Sequence, residues 1–188
     1  MTTIFCSHKL QTLIGKISPR PAEEVPSSPL GNWNAHLFTV ERRKCLAFVN
    51  SKTYYSVFLA DILKKDLRNF QDLFYANLIR QLLHDEVIDL ARVPLVTETL
   101  GPLQLARTNN DRKAIGTMND FISQFKFNCD WHYGGFQHIN LREINSRIND
   151  TPVGAGGNEQ RNYGWPIEDM KTLIKTVLQL QDSPTQNL

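Results

Sequence analysis

The sequence predicts an α+β fold, in which an antiparallel sheet centred on a three-strand meander (about residues 33–59) packs against four or five helices. Residues 33–40 and 44–50 are rich in β-branched, aromatic and aliphatic side chains and flank a short polar segment, a pattern typical of a hairpin. A third such run, residues 54–59, follows a second turn. Residues 46–49 are apolar at every position, so we expect helices on both faces of this strand, or helices on one face and a loop on the other.

Five segments outside the meander carry apolar residues at the spacing of a helix face. Ser7 and Asp111 are suitable N-caps for two of these helices, and Asp66 for a helix that runs to about residue 84. A short helix is expected to end at Pro152. Pro166 suits the first position of the last helix, because a proline there gives up no intrahelical hydrogen bond.

Two short strands and three irregular segments complete the predicted fold. Pro94 is expected to end any element that precedes it. The strands are residues 2–6 and 103–107, and the irregular segments are a proline-rich loop (18–29), a glycine-bearing loop (153–163) and a frayed tail (182–188).

The composition is that of an ordinary globular protein. With 188 residues, of which 41% are hydrophobic and 21% charged, we expect a single globular domain over residues 1–188. A net charge of +2 is too small to indicate nucleic-acid binding by itself. The N-terminus lacks the pattern of a signal peptide, and no run is apolar enough for a membrane helix. We therefore expect a cytoplasmic protein that does not partner with a membrane.

Three stretches resemble a known protein family. Residues 30–46 read LGNWNAHLFTVERRKCL, residues 115–120 read IGTMND, and residues 145–152 read NSRINDTP. Together they resemble the pattern of a family of uncharacterised bacterial proteins that is catalogued only as a domain of unknown function. The resemblance covers most of the chain, from the first strand to the last helix, and it implies no activity.

Positive charge is concentrated at the predicted hairpin tip, in Arg42, Arg43 and Lys44. The polar segment suggests a connection longer than a two-residue turn. Arginine binds phosphates through paired hydrogen bonds, so the tip is a candidate surface for binding a protein or a nucleic acid. The alternative is a solvated turn in which Glu41 partly neutralises the arginines.

His36 is the candidate catalytic residue. Histidine titrates near neutral pH, and an acid–base pair is possible if His36 faces a pocket together with Asn119 and Asp120 of a later helix. The alternative is a histidine at the edge of the core that hydrogen-bonds to the backbone. Asn119, a candidate binding residue, and Asp120 lie in an apolar helix and could instead tie that helix to the sheet.

Asn145 and Asn149 are further candidate binding residues, on the short helix before Pro152. Together with Thr151 they could line one side of this helix and its exit turn. Their amides would then bind an extended ligand or cap the helix end.

Cys129, His132 and His138 have the side chains of zinc ligands, in the spacing C-x2-H-x5-H. A fourth ligand is not evident and the spacing matches no established zinc motif, so we expect no cofactor. A structured loop suits the neighbouring aromatic and glycine residues equally well. Cys45, in the central strand, is expected to be a buried free thiol.

The sequence leaves open whether the protein is an enzyme, because no established catalytic motif occurs in it. It favours a non-enzymatic cytosolic binding domain that recognises a protein or nucleic-acid partner through the basic hairpin tip. The alternative is a small enzyme, a hydrolase that uses His36 with Asp120.

Overall fold

The computed structural model describes residues 1–15, 27–154 and 163–182. Within these residues the chain forms seven strands and six α-helices. In chain order they are β1 (Thr2–Cys6), α1 (His8–Ile14), β2 (Trp33–Val40), β3 (Arg43–Asn50), β4 (Ser56–Leu59), α2 (Phe70–His84), α3 (Val93–Leu100), β5 (Leu103–Arg107), α4 (Arg112–Phe127), α5 (Leu141–Asn149), β6 (Val153–Gly154), β7 (Tyr163–Gly164) and α6 (Pro166–Asp182).

Five of the described strands form a mixed sheet in the order β4-β3-β2-β1-β5. The meander β2-β3-β4 is antiparallel, as the sequence predicts, with Trp33 opposite Asn50 and Val40 opposite Arg43 in the first pair. β1 extends the sheet through parallel pairs with β2 and with β5. The α+β class is therefore confirmed, and two parallel strands are added to its antiparallel centre.

Helices cover both faces of the sheet. Side chains of β3 alternate between the two faces, as they must in an extended strand. Leu46 and Phe48 lie in a core shared with α1, α2, α3 and α6. Cys45, Ala47 and Val49 lie in a second core shared with α4 and α5. The apolar run of the central strand is thus buried on both sides by helices.

One described helix, α3, is missing from the sequence prediction. Pro94 lies in its first turn, and a 3-10 turn (Leu90–Arg92) ends directly before this helix, so an element does end ahead of the proline as expected. The position suits proline because the first N–H groups of a helix have no intrahelical acceptor.

The predicted helix starts are close to the observed ones. Asp111 caps α4 as expected, since its carboxylate accepts hydrogen bonds from the N–H groups of Lys113 and Ala114. Ser7 precedes α1 without a side-chain cap. Asp66 begins a 3-10 turn (Asp66–Asn69), and α2 follows it.

The three predicted irregular segments lie largely outside the described residues. Of the proline-rich loop only residues 27–29 are described. The glycine-bearing loop is described at its ends, where β6 and β7 pair with each other, so these ends are strands. Asp182 belongs to α6, and the tail beyond it is not described.

Candidate functional site

The hairpin tip is a two-residue turn. Because Val40 pairs with Arg43, only Glu41 and Arg42 connect β2 to β3, and the predicted longer connection is wrong. Both residues have positive φ angles, 45° and 66°, as in a type I′ turn, which matches the twist of the two strands. Asparagine and glycine occupy such positions most readily, whereas another residue in the left-handed region costs about 1–2 kcal/mol. The tip is therefore a tight turn that keeps two charged residues in an unfavourable backbone conformation.

Glu41 attaches the tip to the segment that follows α4. Its Oε1 accepts a hydrogen bond of 3.0 Å from the N–H of Phe136. Arg43 reaches the same residue, with its guanidinium carbon 5.3 Å from the centroid of the Phe136 ring. It also donates a hydrogen bond of 2.9 Å to Asp61. Arg43 is therefore held by two neighbours.

Arg42 and Lys44 are the available cations of the tip. Both side chains are exposed, and within the described ranges neither forms an ion pair. Glu41 does not pair with either of them there, because its contact is with the backbone of Phe136. The tip thus presents two cations whose charge is not neutralised by a contacting carboxylate.

An exposed aromatic pair lies at the end of α4 and in the turn that follows it. Phe127 ends α4, and Trp131 lies in the π-turn that follows (Asn128–His132). Their ring centroids are 6.2 Å apart and their planes differ by 24°. Phe127 is 61% exposed and Trp131 79%. Large exposed aromatic side chains that lie together are typical of a contact surface. We call Arg42, Lys44, Phe127 and Trp131 the tip surface.

A hydrogen bond connects the two halves of the tip surface. The N–H of Gly135 donates to the carbonyl of Cys129 at 2.8 Å, which closes the π-turn onto the residue before Phe136. The turn that carries Trp131 and the hairpin tip are thus bound to the same short segment, residues 135–136. Arg42 and Trp131 are thereby attached near one segment, while Lys44 lies on the face of β3 that Leu46 shares, opposite the face that α4 covers.

A pocket of about 290 Å³ lies beside His36, between the sheet and α4, and we call it the His36 pocket. Ser7 and Thr108, which follow the parallel strands β1 and β5, line it. Asn119 of α4 lines it as well, so the structure brings His36 and Asn119 together. Asp120 is exposed on α4 and is not among the residues that line the pocket.

His36 is partly buried and lies near two lysines. Burial lowers the pKa of His36, and the nearby charges of Lys9 and Lys126 lower it further. Asn34, two residues before His36 on β2, is only 3% exposed. Its Nδ2 group and the Ser7 hydroxyl have no hydrogen-bond partner among the described residues. These two groups are thus buried without a partner beside the pocket, each too enclosed for water to reach.

Asn145 and Asn149 bind the edge of the protein's own sheet. The Asn149 amide accepts from the Ser56 N–H at 2.7 Å and donates to the Ser56 carbonyl at 2.9 Å. Asn145 makes the same pair of contacts with Phe58, at 2.8 and 3.2 Å. Asn145 and Asn149 are four residues apart on α5, and Ser56 and Phe58 are two residues apart on β4, so the two spacings cover similar distances. Helix α5 therefore supplies the hydrogen bonds that a neighbouring strand would otherwise provide. Both side chains are fully buried.

A polar network behind these asparagines connects α5 to α2. Gln81, which is fully buried, donates from Nε2 to Asp85 at 2.9 Å and accepts from Asn145 and Arg142. Asp85 also accepts from the hydroxyls of Tyr55 and Ser146. Burial, followed by the negative charge of Asp85, raises the pKa of Tyr55 well above its usual value. The network explains why polar residues occur on the packed faces of both helices.

The candidate zinc ligands are not assembled into a site. Cys129 is buried in the core beneath α4, and burial raises the pKa of its thiol to about 12. His132 and His138 are exposed. Across the described ranges no three His, Cys, Asp or Glu side chains are arranged to hold a metal ion. Cys45 is a buried free thiol, as expected.

Four residues near the candidate sites were not predicted as site residues, although the sequence carries a weak signal for each of them. Asn34 is a polar residue at a position of β2 that alternation turns toward α4, in the strand that pairs with the central strand β3. Phe127 and Trp131 are large aromatic residues outside the apolar stripe of α4. Ser7 suits a helix cap by sequence, a role that its side chain does not play in the structure.

Comparisons with known proteins identify a family only. A family model described as "Domain of unknown function (DUF6933)" matches residues 3–169. No curated protein and no solved structure matches the chain. Among the described residues, none of the helices has the length and apolar character needed to cross a membrane.

Proposed function

The chain belongs to the family described as a domain of unknown function (DUF6933), and we propose that it is a cytoplasmic binding domain that recognises single-stranded nucleic acid through the tip surface. The cytoplasmic part of the proposal is supported by three buried free cysteines, which are typical of a reducing compartment.

One observation carries the proposal: the turn that holds the uncompensated Arg42 and the π-turn that holds the exposed Trp131, which stacks with Phe127, are bound to the same short segment. Proteins that bind single strands combine positive charge, which attracts the phosphates, with aromatic rings on which the bases stack. Arg42 and Lys44 supply the charge, and Phe127 and Trp131 supply the rings. The unfavourable backbone of the turn supports the proposal, because strained residues are often retained at functional sites.

The aromatic pair favours a single strand over a duplex or a protein. Bases in a duplex are stacked on each other and do not offer their faces to a side chain. The centre of a typical protein interface is depleted in charged residues, whereas Lys126 directly precedes Phe127 and is exposed. A ligand that carries both negative charge and flat aromatic groups matches this surface best.

Binding of a labelled oligothymidine of about 12 nucleotides, followed by fluorescence anisotropy, tests the proposal. We expect Trp131→Ala to weaken binding about 5- to 150-fold, since one base–aromatic stack contributes about 1–3 kcal/mol. Trp165→Ala is the matched control, because Trp165 is also an exposed tryptophan but lies next to α6. We expect it to leave the affinity unchanged.

Two results would contradict a nucleic-acid ligand. Equal losses in the two tryptophan variants would show that the tip surface is not the contact. Binding of an acidic peptide but not of the oligothymidine would show that the partner is a protein. A hairpin duplex of the same composition should bind more weakly than the single strand, because its bases are not available to Trp131.

The alternative is a small hydrolase that uses His36 with Asp120. The observation in its favour is the His36 pocket, and the observation against it is the exposed position of Asp120 outside the lining of that pocket. An enzyme of this kind would lose turnover in His36→Ala while the fold stays intact. A His36→Ala variant that keeps its activity, or that unfolds, would argue against this assignment.

A further inference from the structure

We propose that a groove between the end of α1 and the 3-10 turn before α2 binds a soluble phosphate monoester, a molecule with a dianionic phosphate on an apolar body. Three cations and three aliphatic residues line this groove, and we call it the basic groove: Lys64, Lys65, Arg68, Leu13, Ile14 and Leu67. The site is separate from the tip surface and does not depend on the function proposed there.

The three cations of the basic groove have no carboxylate partner among the described residues. All three are exposed, and the ion pairs of the described ranges join other residues. Asp61, which precedes them in sequence, pairs with Arg43 instead at 2.9 Å. With three cations and the carboxylate of Asp66, residues 64–68 carry a net charge of +2. The groove therefore has positive charge that the protein does not neutralise by contact.

Hydrogen bonds hold the backbone that carries these cations. The Ile62 N–H donates to the Lys44 carbonyl at 2.8 Å, which attaches the start of the segment to β3. Leu63 and Asp66 exchange two hydrogen bonds. The Leu63 N–H donates to the Asp66 carboxylate at 2.9 Å, and the Asp66 N–H donates to the Leu63 carbonyl at 3.0 Å. The backbone is thus ordered before a ligand arrives, which lowers the entropic cost of binding.

The number of cations favours a phosphate monoester over a carboxylate. A phosphate monoester carries a charge of about −1.5 to −2 at neutral pH and has three strong acceptor oxygens. Arginine binds such a group through paired hydrogen bonds, and lysine binds it as a point charge. Three cations exceed what one singly charged carboxylate can use. The phosphodiesters of a nucleic-acid backbone are also singly charged, so the dianion differs from the ligand proposed for the tip surface.

The aliphatic side of the basic groove indicates an apolar body for the ligand. Leu13 and Ile14 end α1 and are half-buried, and Leu67 is 7% exposed. The volume of about 320 Å³ lies at the lower end of ligand sites, which start near 300 Å³. Inorganic phosphate would leave the aliphatic side chains without a contact. A phosphate joined to a single ring or a short chain matches both halves of the groove.

Phenyl phosphate and phenyl sulfate are matched probes, because they share a shape and differ by about one negative charge above about pH 7. We expect phenyl phosphate to bind in a saturable manner with a Kd of about 1 mM in an NMR titration. Phenyl sulfate and inorganic phosphate should each bind at least about fivefold more weakly, because the first lacks a charge and the second lacks the apolar body. Backbone resonances of Leu67 and Arg68 should shift with phenyl phosphate.

The double variant Lys64→Ala/Lys65→Ala tests the charge of the groove. We expect the affinity for phenyl phosphate to fall at least about tenfold, and Arg68→Ala should weaken it in the same direction. The melting temperature should stay close to that of the wild type, because all three side chains are exposed. Lys171→Ala/Lys175→Ala removes the same charge from α6 and is the matched control. Its affinity for phenyl phosphate should be unchanged.

Vesicles distinguish a soluble ester from a lipid head group of the same chemistry. We expect the protein to sediment equally little with vesicles of phosphatidylcholine alone and with vesicles that also contain phosphatidic acid. Sedimentation with phosphatidic acid that is lost in Lys64→Ala/Lys65→Ala would overturn the soluble ligand in favour of a membrane lipid.

Three further results would overturn the phosphate site. They are equal affinities for phenyl phosphate and phenyl sulfate, wild-type affinity for phenyl phosphate in both groove variants, and no saturable binding of phenyl phosphate at all. Each is measured without oligothymidine, so failure of the basic groove and failure of the tip surface are distinguishable.

Discussion

Replacement of Asn149 by alanine tests the structural role that α5 plays at the sheet edge. The Asn149 amide makes three hydrogen bonds with Ser56, to its N–H, hydroxyl and carbonyl, at 2.7, 2.8 and 2.9 Å. The side chain is fully buried, so water cannot replace it without a local opening. Alanine leaves the N–H and carbonyl of Ser56 without partners, and each buried unsatisfied group costs about 1–3 kcal/mol. We expect Asn149→Ala to lower the free energy of unfolding by about 2–5 kcal/mol.

Urea unfolding, followed by circular dichroism, measures this loss. Most small domains are stable by about 5–15 kcal/mol, so the variant should remain folded in water with a clearly lower midpoint. Asn119→Ala is the matched control, because Asn119 is also an asparagine on a helix but its side chain is exposed. Its effect should be below about 0.5 kcal/mol. If Asn149→Ala costs no more than Asn119→Ala, the proposed role of α5 as a substitute for a neighbouring strand is wrong.

Two further predictions concern the tip and the cysteines. Arg42→Gly should stabilise the fold by about 1 kcal/mol, because glycine adopts a φ of 66° without strain. The same variant should weaken oligothymidine binding. A variant that gains stability and binds as well as the wild type would show that Arg42 does not contact the oligonucleotide. Burial raises the pKa of Cys45 to about 11 and those of Cys6 and Cys129 to about 12, so an unfolded chain, whose thiols titrate near pH 8.5, loses these protons first. The contribution of the thiols to stability should therefore be constant below about pH 8 and fall as the pH rises above about 8.5. The native thiols should not react with a disulfide reagent at about pH 8, and rapid reaction of the folded protein would show that they are accessible.

The sequence predicted the elements whose hydrophobic pattern is strong. The apolar run at residues 46–49 indicated a strand covered on both faces, and the two cores on either side of β3 confirm it. The parallel neighbours of β2 could not be predicted, because pairing with β1 and β5 depends on the packing of distant segments. Helix α3 could not be predicted for a local reason: a proline is compatible with both the end of one element and the first turn of the next.

The candidate site was predictable in its residue types but not in its contacts. His36 and Asn119 do line one pocket, yet sequence alone does not separate the buried Asn34 beside them from any other polar strand residue. Asn149 lies 93 residues from Ser56, and no local pattern shows that its amide pairs with an edge strand. The turn at Glu41 and Arg42 was misjudged because neither residue is typical of the left-handed backbone that the strand register imposes.

The salt dependence of oligothymidine binding tests the central claim most directly. Each phosphate contact to a single strand contributes about 0.7 to the slope of log affinity against log salt concentration, so Arg42→Ala/Lys44→Ala should reduce the slope by about 1.4. Lys171→Ala/Lys175→Ala removes the same charge from exposed positions on α6 and should leave the slope unchanged. A slope that is the same in the wild type and in both double variants would contradict phosphate binding by the hairpin tip.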